Sequence, residues 1–325
     1  MRAATSLLAL LALPAAAIAD PLPSWRDGPS RDRIVDFVES VTEPGGSDYV
    51  TPSRRIAVFD NDGTLWAEKP VYFQVLFALD RIAEMAESDP AVLTSEALEA
   101  AAAGDLEGVL AGGEAGLVEL IAATHSGLTV AEFQEAVRAW LATARHPETG
   151  RPYKEMVFQP MLELLAYLRD EGFATYIVSG GGIDFMRAFA EDVYGIPPAQ
   201  VIGSSGDAAY EVVDGVPAIR KDPGLFFIDD KAGKPVGIAR HVGLRPIFVA
   251  GNSDGDFEML EWSTAGEGPS FGMIVHHTDA ERAWAYDRES HVGRLERGLD
   301  EAPGRGWLIV DMARDWGRVW PRSGE

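Results

Sequence analysis

The chain has 325 residues, 46% of them hydrophobic and 24% charged, a balance that builds a packed globular protein rather than a disordered one. Asp and Glu number 51 against 28 Lys and Arg, and the resulting net charge of -23 repels phosphate backbones, so nucleic acid is not an expected partner. There is no cysteine, which excludes disulfides, thiolate metal sites and a cysteine nucleophile, and 6 histidines leave little scope for a histidine-rich metal centre.

Residues 1–19 read as a secretory signal peptide. Arg2 supplies the positive start, residues 6–18 are apolar or small, and Ala17-Ile18-Ala19 fits a small-x-small cleavage pattern. The apolar run falls short of the roughly 20 residues of a membrane-spanning helix, and no later run reaches that length. The mature chain is expected to begin at Asp20. The Ala- and Arg-rich, bacterial-looking composition makes the periplasm the expected compartment.

Residues 32–41 carry helical periodicity through Ile34, Val35, Phe37 and Val38. The short apolar run 55–59 reads as a buried strand that ends at Asp60. From 71 to 87 the pattern turns helical, and 93–144 is Ala- and Glu-rich, several helices punctuated by Gly104, Gly112-Gly113 and Gly127. A polar hinge at 149–153 precedes an amphipathic helix over 160–171, stopped by Gly172. Residues 174–178 form a second buried strand ending at Ser179, with a helix over 183–194 and a short strand at 200–202. Segments 210–213 and 216–219 flank Asp214-Gly215, a hairpin signal, and 226–228 reads as one more strand. A helix at 234–242, a strand at 246–250, the turn Gly251 to Asp256, a helix from 257 and a strand at 271–275 complete the pattern. The remaining tail reads as polar and carries Trp284, Trp307, Trp316 and Trp320.

Strands alternating with helices imply an α/β fold, a Rossmann-like parallel sheet covered on both faces. A helical block sits between the first and second strands. The expected division is a core of residues 20–66 and 156–325 with an inserted helical cap at 67–155. In such sheets ligands bind beyond the carboxyl ends of the strands. Asp60, Ser179 and Asn252 each stand at such an end and are expected to meet in one crevice. In Asp60-Asn61-Asp62-Gly63-Thr64, a turn that aims a carboxylate and a backbone carbonyl at a common ion suits Mg2+; the alternative is an ordinary Asp-Gly turn with solvated acids.

Taken together, these motifs resemble the haloacid dehalogenase superfamily of phosphohydrolases, over residues 54–280, and within it the phosphoserine-phosphatase-type enzymes with a helical cap. Asp60-x-Asp62-Gly63-Thr64 matches the first motif and Ser179 after Tyr176-Ile177-Val178 the second. Lys234, or less favourably Lys231, matches the third, and the acidic turn 251–256 the fourth. The resemblance implies that Asp60 is a nucleophile forming an aspartyl-phosphate and that Asp62 is the acid and base. It also implies that Ser179 and the backbone of Gly180 and Gly181 hold phosphate oxygens while Lys234 offsets charge. Mg2+ would be held by Asp60, Asp62, Asn252 and Asp256, and the substrate would be a small phosphorylated metabolite. The fourth motif departs from the pattern: Asn252 stands where an Asp ligand is usual, with Asp254 or Asp256 to compensate.

Two rival readings remain at this level. Gly251-Asn252-Ser253-Asp254-Gly255 is a G-x-S-x-G match between a strand and a helix, followed by Asp279 and His291, as in an exported serine esterase using Ser253. A non-catalytic binding protein that kept the fold would also account for Asn252. His276-His277 reads as a structural or substrate-loop element more than a metal pair. The C-terminal tryptophans read as packing more than a cation-binding cage.

Overall fold

The computed structural model describes residues 20–322 apart from Gly112. The signal peptide expected at 1–19 lies outside the described residues. After α1 (Pro29–Thr42), which starts with proline in its first turn and buries the stripe Ile34, Val38 and Val41, the chain enters β1 (Ile56–Phe59). Five helices follow: α2 (Phe73–Ser88), α3 (Glu96–Ala102), α4 (Leu106–Ala111), α5 (Glu114–His125) and α6 (Val130–Thr143). Then come α7 (Gln159–Asp170), β2 (Ala174–Gly182), α8 (Ile183–Arg187), α9 (Ala190–Tyr194) and the hairpin strands β3 (Val201–Val213) and β4 (Val216–Phe227). The chain closes with α10 (Gly233–His241), β5 (Phe248–Gly251), α11 (Phe257–Thr264), β6 (Phe271–His276), α12 (Arg297–Arg305), β7 (Leu308–Asp311) and α13 (Met312–Asp315).

The seven strands form one sheet in the order β4-β3-β2-β1-β5-β6-β7. Only the β3–β4 pair is antiparallel; the other neighbours run parallel. Side chains alternate between the two faces as the strand period demands. Ala57, Phe59, Ile177, Phe248 and Ala250 enter one apolar cluster, and Ile56, Val58, Val178 and Val249 another. Burial on both faces explains why the sequence shows unbroken apolar runs here. The chain moves to one side of β1 through β2 and to the other through β5, so β1 is the topological switch point. Between β1 and β2 the helical segment has an apolar cluster of its own. Val71, Val75, Ala78, Leu79 and Ile82 pack there against Leu98, Ala101, Val109 and Leu120.

Three local expectations are corrected. The helix expected over 183–194 is two short helices, because Phe189 leaves helical geometry and stacks on Trp66 at 4.6 Å between ring centroids. Residues 226–228 are not a separate strand: Phe226 and Phe227 are the end of a long β4, whose register shifts absorb Pro223 and Gly224. The hairpin turn is the expected Asp214-Gly215, both residues at positive φ (50° and 82°) as a type I′ turn requires. The polar tail contains β7, which adds an edge strand beside β6.

Candidate active site

β1 ends directly on Asp60, whose backbone N–H donates to the Ala250 carbonyl at 2.9 Å and so continues the ladder with β5 for one more residue. The chain then folds over the Asn61 carbonyl, which accepts the Leu65 N–H at 2.8 Å and the Thr64 and Trp66 N–H groups at 3.2 Å. The Asn61 amide oxygen accepts the Tyr194 hydroxyl at 3.0 Å. Gly63 makes the reversal at φ 75°, and a Cβ there would collide with the Asn252 amide and the Glu68 carboxylate. This tight turn brings Asp62 back beside Asp60. Its Oδ1 accepts the Trp66 indole N–H at 2.8 Å, and its Oδ2 stands 3.6 Å from where a Cβ on Gly181 would lie.

Lys234, in the first turn of α10, reaches the same point from below. It is 3% exposed, and its Nζ donates to Asp60 Oδ1 at 2.6 Å, Asp256 Oδ1 at 2.5 Å and the Val178 carbonyl at 3.1 Å. Lys231 is exposed at φ 50° with its backbone N–H on the Gly255 carbonyl, so Lys234 is the lysine of the crevice. Ser179 ends the inner part of β2, its Oγ accepting the Gly181 N–H at 3.1 Å. The Gly182 N–H donates to Gln74 Oε1 at 2.7 Å, and Gln74 Nε2 meets His125 Nε2 at 2.9 Å. The other His125 nitrogen meets the Thr124 hydroxyl at 2.8 Å. A hydrogen-bonded chain therefore ties the glycine loop of the sheet to α2 and α5.

The fourth-motif turn is resolved differently from expectation. Asp256 is fully buried, and its Oδ2 accepts the N–H groups of Asn252 at 2.9 Å and Ser253 at 3.0 Å while Oδ1 takes Lys234. Both oxygens of Asp256 are hydrogen-bonded, so it braces the turn and holds the lysine. Asp254 faces away and accepts the N–H groups of Glu296, Arg297 and Gly298 at the start of α12, so it does not compensate for Asn252. Asn252 does face the site. Its Oδ1 accepts the Thr64 hydroxyl at 3.1 Å and its Nδ2 donates to Glu68 Oε1 at 2.8 Å.

Glu68 is the residue that sequence reasoning missed. It is 2% exposed and also accepts the Tyr286 hydroxyl at 2.7 Å. Burial pushes its carboxyl up to about 7 against the hydrogen bond from Tyr286, with Asp62 adding to the rise. Glu68 is held by a strap from the C-terminal tail that grips the motif loop. His277 Nε2 donates to the Gly63 carbonyl at 2.7 Å, and its ring stacks on Tyr286 at 4.4 Å between centroids. Lys69 Nζ lies 3.9 Å over the Tyr286 ring and bonds to Ser290 and the Val292 carbonyl. Burial holds His277 neutral, down to about 3, so it acts as a fixed donor.

Burial is also the main cause that pushes Asp62 up to about 6 and Asp60 well above the usual carboxylate range; for Asp60 the Asp256 and Asp62 charges add to it and Lys234 opposes. Burial works against the Lys234 ammonium too, but Asp256 and Asp60 outweigh it and hold the lysine charged. The crevice thus gathers more negative charge than one ammonium balances. The oxygen donors beside it fit a Mg2+ ion: the Asp60 carboxylate, the backbone of the Asp62 loop and the Asn252 amide.

Ser253 has no histidine partner. Its Oγ accepts the Gly255 N–H at 3.1 Å and leans on Asp256 at 3.3 Å, while Asp279 pairs with Arg282 and His291 is exposed. The esterase constellation is not assembled. His276 turns to Asp287 at 3.2 Å while His277 turns to Gly63, so the two do not share a ligand position. Trp284, Trp307, Trp316 and Trp320 donate to or pack against their own surroundings, and none lines the crevice.

Asp60, Asp62, Ser179, Gly180, Gly181 and Lys234 open onto a single cavity of about 520 Å³ that runs under α5 and α6. The sequence matches the haloacid dehalogenase-like hydrolase family over residues 57–261. No curated protein matches it significantly. Among solved structures, a functionally unknown protein from Anaerococcus prevotii DSM 20548 is similar at 16% identity and TM-score 0.50, over 77% of this chain and 86% of that one. A protein of unknown function from Bordetella pertussis Tohama I shares 18% identity at TM-score 0.46, over 80% and 99%. A phosphoserine phosphohydrolase-like protein from Francisella tularensis subsp. tularensis SCHU S4 shares 16% identity at TM-score 0.40, over 77% and 98%. With the family match spanning most of the chain and the motif residues converging at the carboxyl end of β1, this protein belongs to the haloacid dehalogenase-like hydrolases.

Proposed function

We propose that the protein is a Mg2+-dependent phosphatase of small phosphate monoesters. The observation that carries this reading is the bridge of Lys234 between Asp60 and Asp256, with Asp62 beside it at the head of a cavity. In this reading an Asp60 oxygen attacks phosphorus and the bond to the ester oxygen breaks. Asp62 delivers a proton to that leaving oxygen, a role suited to a carboxyl pushed up to about 6. Asp62 then takes a proton from water, the water oxygen attacks phosphorus, and the bond to Asp60 breaks to release phosphate. Ser179 and the Gly180-Gly181 backbone receive the phosphoryl oxygens, and Lys234 steadies the charge on Asp60. Asp60, the Asp62 loop and Asn252 would hold Mg2+, which supplies positive charge that favours ionised Asp60 and offsets anion–anion repulsion.

The test is phosphate release from a panel of monoesters with Mg2+ and with EDTA, alongside an acid-quench trap for phosphorylated protein. Activity that needs Mg2+, with label trapped on Asp60, supports the reading. Full activity in EDTA, or no label on wild-type protein, rejects it. Export is a further proposal, supported by the pattern of residues 1–19. Mass spectrometry of periplasmic material from the native host should find Asp20 as the first residue, and retention of residues 1–19 in cytoplasmic protein rejects it.

A further inference from the structure

The cavity that begins at Asp60 does not remain polar. Away from the motif residues its wall is built by Leu117 and Ile121 of α5, Phe133 of α6, Phe185 of α8 and Leu225 of β4. Val118, also in the wall, is 58% exposed and marks the apolar lip. The cations of the wall are two lysines, and both are already paired. Lys234 is held by Asp60 and Asp256. Lys221, 9% exposed, is paired with Asp184 and sits 5.0 Å from the centroid of the Phe133 ring. Among the described residues no arginine lines the cavity, whereas Asp184, Asp222 and Asp230 do.

From this arrangement we propose, resting on the phosphatase reading above, that the substrates are monoesters of bulky apolar alcohols or phenols with no second anionic group. An apolar body gains by leaving water for the chamber of Phe133 and Ile121. A carboxylate or second phosphate on the leaving group would enter an apolar, net-acidic wall with no free cation to receive it, and would lose its hydration without compensation. With the phosphoryl group held at the Asp60 end, the leaving group lies along this wall.

The experiment uses three aryl phosphates whose phenols have similar acidity: phenyl phosphate, 2-naphthyl phosphate and 4-carboxyphenyl phosphate. Binding of the product phenols, 2-naphthol and 4-hydroxybenzoate, is measured in parallel by calorimetry. The expected kcat/KM order is naphthyl above phenyl above carboxyphenyl, with steps of about tenfold each. 2-Naphthol should bind at least about tenfold tighter than 4-hydroxybenzoate. Val118→Lys, which adds a free cation at the exposed lip, should raise the carboxyphenyl-to-phenyl ratio severalfold. That ratio is internal to each preparation and does not depend on how much protein folds. If the esters are hydrolysed with the carboxyphenyl ester equal or preferred, the substrate class is overturned and the phosphatase reading stands. If no ester is hydrolysed but 2-naphthol still outbinds 4-hydroxybenzoate, the phosphatase reading falls and the apolar chamber stands as a binding site. Equal binding of the two phenols overturns the inference in either case.

Discussion

The Asn252 amide donates to the buried Glu68 carboxylate across 2.8 Å, and that one contact explains why an amide can stand where a carboxylate was expected. A second carboxylate at 252 would face Glu68, whose carboxyl is already pushed up to about 7 by burial, so above that pH two negative charges would meet there with no cation between them. Asn252→Asp is therefore expected to lower stability by about 1–3 kcal/mol in metal-free buffer, a fall of several degrees in Tm. Mg2+ should recover more stability in this variant than in wild type. Adding Glu68→Gln should remove the metal-free penalty. Calorimetry with and without Mg2+ measures both, and an unchanged metal-free Tm for Asn252→Asp would show that Glu68 tolerates the added charge.

Lys234 is the only described cation in contact with Asp60 and Asp256, and all three are buried. Removing it strands two carboxylates in a low-dielectric site. Lys234→Met should cost about 3–5 kcal/mol in urea unfolding. Lys234→Met with Asp256→Asn should recover at least about 1 kcal/mol of that loss, since one stranded charge is gone. Strict additivity of the two substitutions would reject the coupling.

Asp62 should matter in proportion to how badly the leaving group needs a proton. An alkyl alcohol leaves poorly as its alkoxide, whereas p-nitrophenol leaves as a stable anion. Asp62→Asn is expected to slow alkyl ester hydrolysis far more than p-nitrophenol release, and to let phosphoenzyme accumulate as a burst because the second step lacks its base. Equal losses on both substrates with no burst would leave Asp62 as a structural member of the loop only.

Asp229 gives a pH signature separate from catalysis. It is fully buried with no well-formed hydrogen bond to its carboxylate, and burial pushes its carboxyl up to about 7 while Lys234 opposes the rise. The folded state then binds a proton more readily than the unfolded chain, in which the value is near 3.8. The group costs stability as pH rises from about 4 to about 7, and the full penalty is present above that window. Asp229→Asn should be near neutral at pH 4 and stabilising by about 1–3 kcal/mol at pH 8. A stability difference independent of pH would show that Asp229 titrates alike in the folded and unfolded chains.

Much of this site was legible because it lies at strand ends. Asp60, Ser179 and Asn252 follow unbroken apolar runs, and parallel strands deliver their carboxyl ends to one edge. Lys234 was legible as the lysine opening a helix. Glu68, Tyr286 and His277 were not, since their role comes from a strap that crosses 218 residues of sequence to reach Glu68, and no local period marks such a contact. Asp254 and Asp256 were both open as acids that compensate for Asn252. Only the fold shows that one caps α12 while the other holds Lys234. β7 left a legible trace, the apolar run after Gly306, that a reading of the tail as polar passed over.

The grip of His277 and Tyr286 on the loop around Gly63 also bears on where this protein can be cut. The family match ends at residue 261, yet both gripping residues, and the N–H groups that hold Asp254, lie beyond it. A recombinant fragment drawn to the limits of family resemblance would keep every motif residue and lose the buttress that shapes the loop between Asp60 and Glu68. The unit that inheritance makes recognisable is smaller than the unit that physics makes competent. Transplanting this catalytic edge into another scaffold would mean carrying the last sixty residues with it, roughly a fifth of the chain.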